Sequence, residues 1–274
     1  MTGSARAGRD PRVAVFVSSS DNTVDVLQRV FPALERFWPD CPYRTYVGLN
    51  AQPNPLAAAE AVRADVSEWR TELAVQLRLI PQEWIILTLD DFLLQARVDQ
   101  GQLGRLVERC LQQRWPYLRL IPLEGALLAR WLRRLTSRRG GMVQVVPRRY
   151  PYYSALQIAV WHKPHLLELL ESARDIWSFE HMEPINAVHR AVVARALKYR
   201  HLVEKGRWLP DAAALLAQAG LAAELGKRES WPVEMYWRQR IGRWRFQLTG
   251  YAPMKLKRRL RAAQRGGSPD TGLR

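Results

Sequence analysis

The sequence predicts an α/β fold: a mixed, mainly parallel sheet flanked by helices, followed by a helical and basic C-terminal extension. Three observations predict it. The first ninety residues alternate short β-type runs with helical periodicity in the order β-α-β-α-β, which builds a parallel sheet covered by helices. The run Glu83–Leu89 (EWIILTL) is apolar at successive rather than alternate positions, as in a strand buried on both faces. With 274 residues, 47% of them hydrophobic, the chain can bury one large core.

The elements follow in order. Residues 1–11 read as a disordered leader. Arg12–Val17 (RVAVFV) is a short β-type run, and Ser18–Asn22 (SSSDN) carries turn and N-cap chemistry. Val24, Leu27, Phe31, Leu34 and Trp38 recur at helical spacing, and Pro32 within that pattern is predicted to kink or shorten the helix. Tyr43–Leu49 is a second strand, followed by a Pro/Asn/Ala loop. Ser67–Pro81 is a helix with Ser67 as its N-cap, and Glu83–Leu89 is the third strand. Asp90 and Asp91 fall just past its carboxyl end, the edge at which open α/β sheets bind ligands.

Beyond them, Leu103, Leu106, Val107, Cys110 and Leu111 mark an amphipathic helix, and Trp115–Leu123 marks a further strand. Ser137–Tyr153 is an Arg/Gly/Pro-rich connection around a short strand. Ser154–Trp161 alternates like a strand, and Lys163–Ser172 is a short helix with Pro164 in its first turn. Asp175–Val193 is an acidic and aromatic loop running into a further helix or strand. Pro210 and Asp211 open an Ala/Leu-rich helix that ends near Gly226. Residues 12–210 are therefore expected to form one domain, and residues 211–274 the extension.

Charge separates the two parts. The chain has 42 basic and 26 acidic residues, a net of +16. Met235–Arg265 holds ten of the basic residues and no acid, and without them the net charge falls from +16 to +6. Aromatic and leucine residues interleave with those cations, a composition suited to an anionic membrane surface. The opening residues lack a long apolar leader and no window approaches the ~18 apolar residues of a membrane span, so a cytoplasmic location is expected, peripheral to the inner face of the membrane through 235–265. Cys41 and Cys110 sit in ordinary segments, so neither a disulfide framework nor a four-ligand zinc site is suggested.

Four groups of residues carry chemistry. Adjacent acids repel and are costly to desolvate, so Asp90 and Asp91 at the end of a buried strand call for a cation. A hard divalent ion, Mn²⁺ or Mg²⁺, takes one or two carboxylates plus substrate phosphates; the plainer alternative is a solvated turn. Ser18, Ser19 and Asp21 sit at the same edge, placed either for a nucleotide base and ribose or for a helix N-cap. Glu180, in Trp177–His181 (WSFEH), is an acid between aromatics, suited to a general base with a raised pKa, or to a helix-terminal acid favoured by the macrodipole. Lys205 and Arg207 flank Gly206, as a phosphate clamp or a β-turn. The five histidines show no metal-binding spacing, though His181 or His189 could add one ligand to an Asp-bound ion.

Taken together, VFVSSSDN, ILTLDDFLL, YYSALQIAVW, DIWSFE and YRHLVEKGRW resemble, in that order, a bacterial group of GT-A-type glycosyltransferases, nucleotide-diphospho-sugar transferases of cell-surface polysaccharide synthesis. The resemblance spans about residues 12–210. It implies a Rossmann-like sheet, an Asp motif that holds Mn²⁺ or Mg²⁺ on the donor diphosphate, a catalytic acid at Glu180, and an acceptor region with Tyr152, Tyr153, Ser154 and Trp177. It further implies a glycan or lipid-linked acceptor. The family's Asp-any-Asp motif stands here as an adjacent pair, which leaves open which acid takes the metal and which reaches the ribose. Asp91 is assigned to the metal, helped by Asp90. A sugar nucleotidyltransferase would open with a Gly-rich phosphate loop, and SSSDN has no glycine. A nucleic-acid-binding protein would show a helix-turn-helix, zinc-finger or RNP signature, and the sequence has none.

Overall fold

The computed structural model describes residues 9–123, 142–148, 150, 152–182, 184 and 186–237. The chain divides into two units, one comprising residues 1–123 and 140–232, the other residues 124–139 and 233–274. Of the second unit only residues 233–237 are described, so the basic stretch beyond Trp237 lies outside the described residues.

The first unit opens with β1 (Val13–Ser18), a 3₁₀ turn (Asp21–Thr23), α1 (Val24–Phe37), β2 (Arg44–Leu49), β3 (Glu60–Arg63), α2 (Trp69–Leu79) and β4 (Trp84–Leu89). Then come β5 (Phe92–Leu94), α3 (Gln100–Gln112), β6 (Tyr117–Arg119), β7 (Val143–Val145), β8 (Ala159–His162), α4 (Lys163–Ser172) and α5 (Ile176–Glu180). The unit closes with β9 (Arg190–Val192), β10 (Tyr199–His201), the hairpin β11 (Val203–Glu204) and β12 (Arg207–Trp208), and α6 (Ala212–Gln218).

Eight strands form the central sheet in the order β3-β2-β1-β4-β8-β6-β9-β7. The first four run parallel, and β8 is antiparallel to both β4 and β6. This is the mixed sheet expected from the sequence. Alternate residues of β1 and β4 enter opposite cores. Val13, Val15 and Ile86 pack with α1 and α3, whereas Ala14, Phe16, Ile85 and Leu87 pack with α2 and α4. Both faces are covered, which is why EWIILTL is apolar at successive positions. β10 pairs antiparallel with β5 in a separate ribbon.

Several element boundaries differ from expectation. α1 runs through Pro32, which leaves only the carbonyl of exposed Gln28 without its helical bond. α2 is capped by Glu68 rather than Ser67, since the Glu68 carboxylate accepts from the amides of Arg70 and Thr71 at 3.2 and 3.1 Å. The loop after β2 contains an edge strand, β3, whose ends Glu60 and Arg63 are exposed and charged in the way that blunts sheet edges. β6 is confined to three residues, with Pro116 before it and Pro122 soon after. β8 begins only at Ala159, because the amides of Ser154 and Leu156 bond to Glu180 instead of a ladder.

The expected domain boundary at residue 210 also moves. Trp208, Ala212, Leu216 and Ala219 belong to the same core as β1 and β4, and Trp231 donates its amide to the Trp208 carbonyl at 2.8 Å. Residues up to 232 thus complete the sheet unit. α6 ends at Gln218, well before Gly226, and the chain turns at Gly220 with φ +67. Of the expected leader, residues 1–8 lie outside the described residues, and Asp10 donates its amide to the Pro42 carbonyl at 3.0 Å.

Candidate active site

The strand order reverses between β1 and β4. The connection from β1 leads outward to β2 on one side, while β4 lies on the other, and the crevice at the carboxyl ends of such a pair is where open sheets bind ligands. Ser18 pairs with Leu89 there, and the Asp90 amide donates to the Ser18 carbonyl at 3.2 Å. Ser19 Oγ donates to Asp90 Oδ2 at 2.7 Å and lies 3.2 Å from Thr23 Oγ1. The last residues of β1 therefore orient one acid of the pair.

Asp91 faces the other way along the chain. Its carbonyl accepts from Leu202 at 3.0 Å, and its Oδ2 accepts from the Val203 amide at 3.3 Å, so it ties β5 to the strand pair that follows. Both acids are half-buried. Burial, together with the neighbouring Asp90 charge, pushes the Asp91 carboxyl up to about 8. Burial also raises Asp90, against hydrogen bonds from Thr23 and Ser19 and the charge of Arg228. Each carboxylate has about four acceptor sites, so these bonds leave room for a further ligand.

Asp21 is already committed. Its Oδ1 accepts from the Asn50 amide at 2.9 Å, and its Oδ2 from Ala51 and Gln52 at 2.8 and 2.9 Å. Three backbone donors make it the anchor of the loop after β2, which leaves its carboxylate little capacity for the ribose contact expected of it.

The clamp expected at Lys205 and Arg207 is a β-hairpin turn. Lys205 and Gly206 have φ of +50 and +75, the pair of left-handed residues that a two-residue type I′ connection needs. The turn lines an open cleft of about 770 Å³, in which Arg29, Lys205, Arg207, Lys227 and Arg228 outnumber Asp25 and Glu229. Arg228 organises this cleft. It grips Asp25 with Nε at 2.9 Å and Nη2 at 2.6 Å, and donates further to the carbonyls of Asn22 at 2.6 Å and Gly206 at 2.9 Å. It joins the loop after β1 to the hairpin and brings a positive charge toward Asp90. The sequence gives no signal for it, because its partner Asp25 lies 203 positions earlier.

Glu180 closes α5. Asp175 caps that helix by accepting from the Ser178 amide at 2.7 Å. The Glu180 carboxylate is half-buried, accepts a 3.4 Å bond from Leu156, and is raised by burial, as its sequence context predicts. Trp177 is 63% exposed and Tyr152 37%, the latter with its ring 4.9 Å from that of His181. Tyr153 and Ser154, expected at the acceptor, are instead core residues. The Tyr153 hydroxyl accepts from the His189 amide at 3.2 Å, and Ser154 Oγ donates to the Met182 carbonyl at 2.9 Å. The left-handed Tyr152, at φ +60, turns one tyrosine outward and its neighbour inward. His189 is fully buried, with its two ring nitrogens facing the Tyr153 carbonyl and His165, and so is no candidate ligand.

Among the described residues no group of three or more His, Cys, Asp or Glu side chains is placed to hold a metal ion. Two carboxylates alone fit an ion that arrives with a diphosphate and keeps phosphate oxygens and water as its other ligands.

Among solved structures, the chain is similar to S. aureus TarS (residues 1–349). The first of three such structures shares 9% identity at a TM-score of 0.41, over 76% of this chain and 70% of that one. TarS in complex with UDP shares 12% identity at 0.44, over 76% and 64%. TarS in complex with UDP-GlcNAc shares 12% at 0.45, over 72% and 60%. At these values the likeness assigns no role to any residue. No protein-family model and no curated protein matches the chain.

The two halves of the site meet through side chains that the sequence did not single out. Phe92, next to Asp91, stacks on Tyr199 with ring centres 4.4 Å apart. The Tyr199 hydroxyl lies 3.5 Å from Gln157 Oε1, and Gln157 accepts from Arg119 at 2.6 Å; Gln157 stands in the segment before β8, next to Leu156, whose amide donates to Glu180.

Proposed function

We propose that the protein is a glycosyltransferase that moves a sugar from a nucleoside-diphosphate donor to a hydroxyl group of a glycan or lipid-linked acceptor in surface-polysaccharide synthesis. The observation that carries this reading is the pair of adjacent, half-buried carboxylates at the carboxyl ends of β1 and β4, where the strand order reverses.

In this reading Asp91, helped by Asp90, holds Mn²⁺ or Mg²⁺, which when bound supplies positive charge to the donor diphosphate. Ser18 and Ser19 line the nucleotide edge, and Ser19 with Thr23 fixes the Asp90 carboxylate. Lys205 and Arg207 offer their charges to the leaving diphosphate from the hairpin turn. Glu180 takes the proton of the acceptor hydroxyl as that oxygen bonds to the anomeric carbon and the carbon–phosphate oxygen bond breaks, which inverts the stereochemistry. Trp177 and Tyr152 present flat apolar faces to the acceptor. The basic stretch through Arg265 would hold the enzyme at an anionic membrane surface. No helix among the described residues is long and apolar enough to cross a membrane.

Thermal melting with UDP, GDP, TDP and their sugars, with and without Mn²⁺, tests the reading. A ligand at 100 times its Kd stabilises by about 2.7 kcal/mol, and each kcal/mol is worth about 2–4 °C for a unit of this size. A rise of roughly 5–10 °C for one donor, larger with Mn²⁺, is expected. Unchanged melting across the whole panel would remove the support for a donor site.

A further inference from the structure

The cleft at the hairpin tip holds more positive charge than the fold uses. Of its five cations, two are answered by its two carboxylates: Arg228 grips Asp25, and Arg207 Nη2 lies 3.0 Å from Glu229 Oε2. The other three, Arg29, Lys205 and Lys227, form no ion pair among the described residues. Arg29 is held by neutral acceptors: its Nε donates to the Glu224 carbonyl at 2.6 Å and its Nη1 to the Asp25 carbonyl at 2.7 Å, which leaves Nη2 uncommitted. Gly226, at φ +71, makes room for that group, since a Cβ there would lie 2.7 Å from Arg29 Nη2. Lys205 is carried outward by the left-handed turn, with Nζ 5.9 Å from the centre of the Trp231 ring. Lys227 is exposed and makes no hydrogen bond among the described residues.

Like charges gathered in one concave space repel, and such a cleft concentrates its field on whatever anion enters. The two ion pairs, with the bond from Arg228 to the Gly206 carbonyl, tie together α1, the hairpin and the loop after α6. The cations are therefore in place before a ligand arrives, which lowers the ordering cost of binding.

We propose that this cleft is a second phosphate site, in which Arg29, Lys205 and Lys227 bind the phosphate group of a phosphorylated sugar or lipid without a metal ion. Guanidinium and ammonium groups only donate, and they suit an anion with several acceptor oxygens. At about 770 Å³ the cleft exceeds a bare phosphate and leaves room for the group that carries it. The site stands apart from the donor reading, because none of Ser18, Ser19, Asp90 and Asp91 lines it. The hairpin joins the two places. At its base the amides of Leu202 and Val203 bond to Asp91, and Lys205 stands at its tip, two residues or about 7 Å further along an extended chain.

The test is calorimetric titration of the full chain with inorganic pyrophosphate in EDTA. Lys227→Gln and Arg29→Gln are each expected to weaken binding by about 5–10-fold. Arg78→Gln removes an exposed cation from α2, outside the cleft, and should stay within about twofold of wild type. Lys227→Gln should also melt with the wild type, so its loss of affinity is not a loss of folding. Asp91→Asn should bind the probe as the wild type does. Displacement of the probe by glucose 1-phosphate supports the proposal with a sugar as carrier. Displacement by phosphatidylcholine vesicles containing phosphatidate, weakened in Lys227→Gln, supports it with a lipid. Displacement by neither marks an adventitious ion only and overturns it, as does equal affinity in the wild type, Lys227→Gln and Arg29→Gln. Binding that requires Mn²⁺ and vanishes in Asp91→Asn overturns the second site and leaves the donor reading intact.

Discussion

Replacing Asp91 by asparagine is expected to raise the melting temperature of the ligand-free protein and to abolish the extra stabilisation that a nucleoside-diphosphate donor gains from Mn²⁺. Burial, and then the charge of Asp90, pushes the Asp91 carboxyl up to about 8 from its ordinary value of 3.8. Between those values the native state retains a proton that the unfolded chain has lost, so stability falls as pH rises from about 4 to about 8. Asparagine has no charge to desolvate and none to set against Asp90. Relief of this kind is worth roughly 1–3 kcal/mol, or several degrees in melting temperature at neutral pH. Melting curves from pH 4 to 8 should start together for the two proteins and separate as pH rises. A variant less stable than wild type at every pH would mean that the carboxylate serves the fold, through its bond from Val203, rather than a ligand. Stability surrendered at a site is the usual sign that the site does something else.

Glu180→Gln carries the second large effect. Glutamine keeps the shape of the side chain and can still accept the bond from Leu156, so the donor should bind within about twofold of wild type. The variant cannot take a proton, and loss of a positioned general base costs about 10²–10⁴-fold in kcat. Because burial raises the Glu180 carboxyl, the wild-type rate should begin to fall with decreasing pH above the ordinary glutamate range. That limb should be absent from whatever activity the variant retains. Stopped assays of product formation over pH 4–8, run beside donor-binding measurements, check both statements. A variant with full kcat would remove Glu180 from the reaction.

What was legible in the sequence follows from how local each feature is. β4 stood out because both of its faces are buried, and the acids after it stood out by contrast. α4 is legible with its observed bounds, since Pro164 and the leucine spacing are local signals. The short strands β5 and β10 carry no local signal because each holds its conformation through a partner far away in the chain, Phe92–Leu94 with Tyr199–His201, and β3 is a four-residue edge strand held only by β2. Tyr152 and Tyr153 are chemically alike, and only a left-handed backbone separates the exposed one from the buried one. The SSSDN segment reads in sequence as either a nucleotide edge or a helix cap, and the commitment of Asp21 to three amides of the loop after β2 depends on tertiary contact. Arg228 and Arg119 looked like members of an arginine-rich chain. Their meaning lies in what they face: Asp25 and the carbonyls of Asn22 and Gly206 for one, Gln157 and the ring of Tyr150 for the other.

The central claim is that an activated-sugar donor binds at the shared edge of β1 and β4 through the carboxylate pair. Anomalous diffraction from crystals grown with Mn²⁺ and a nucleoside diphosphate tests it most directly. The account predicts a manganese peak between the Asp91 carboxylate and the diphosphate oxygens, with Asp90 still held by Ser19. A diphosphate seated elsewhere, with Asp91 meeting only the Val203 amide and no metal peak beside it, would contradict it.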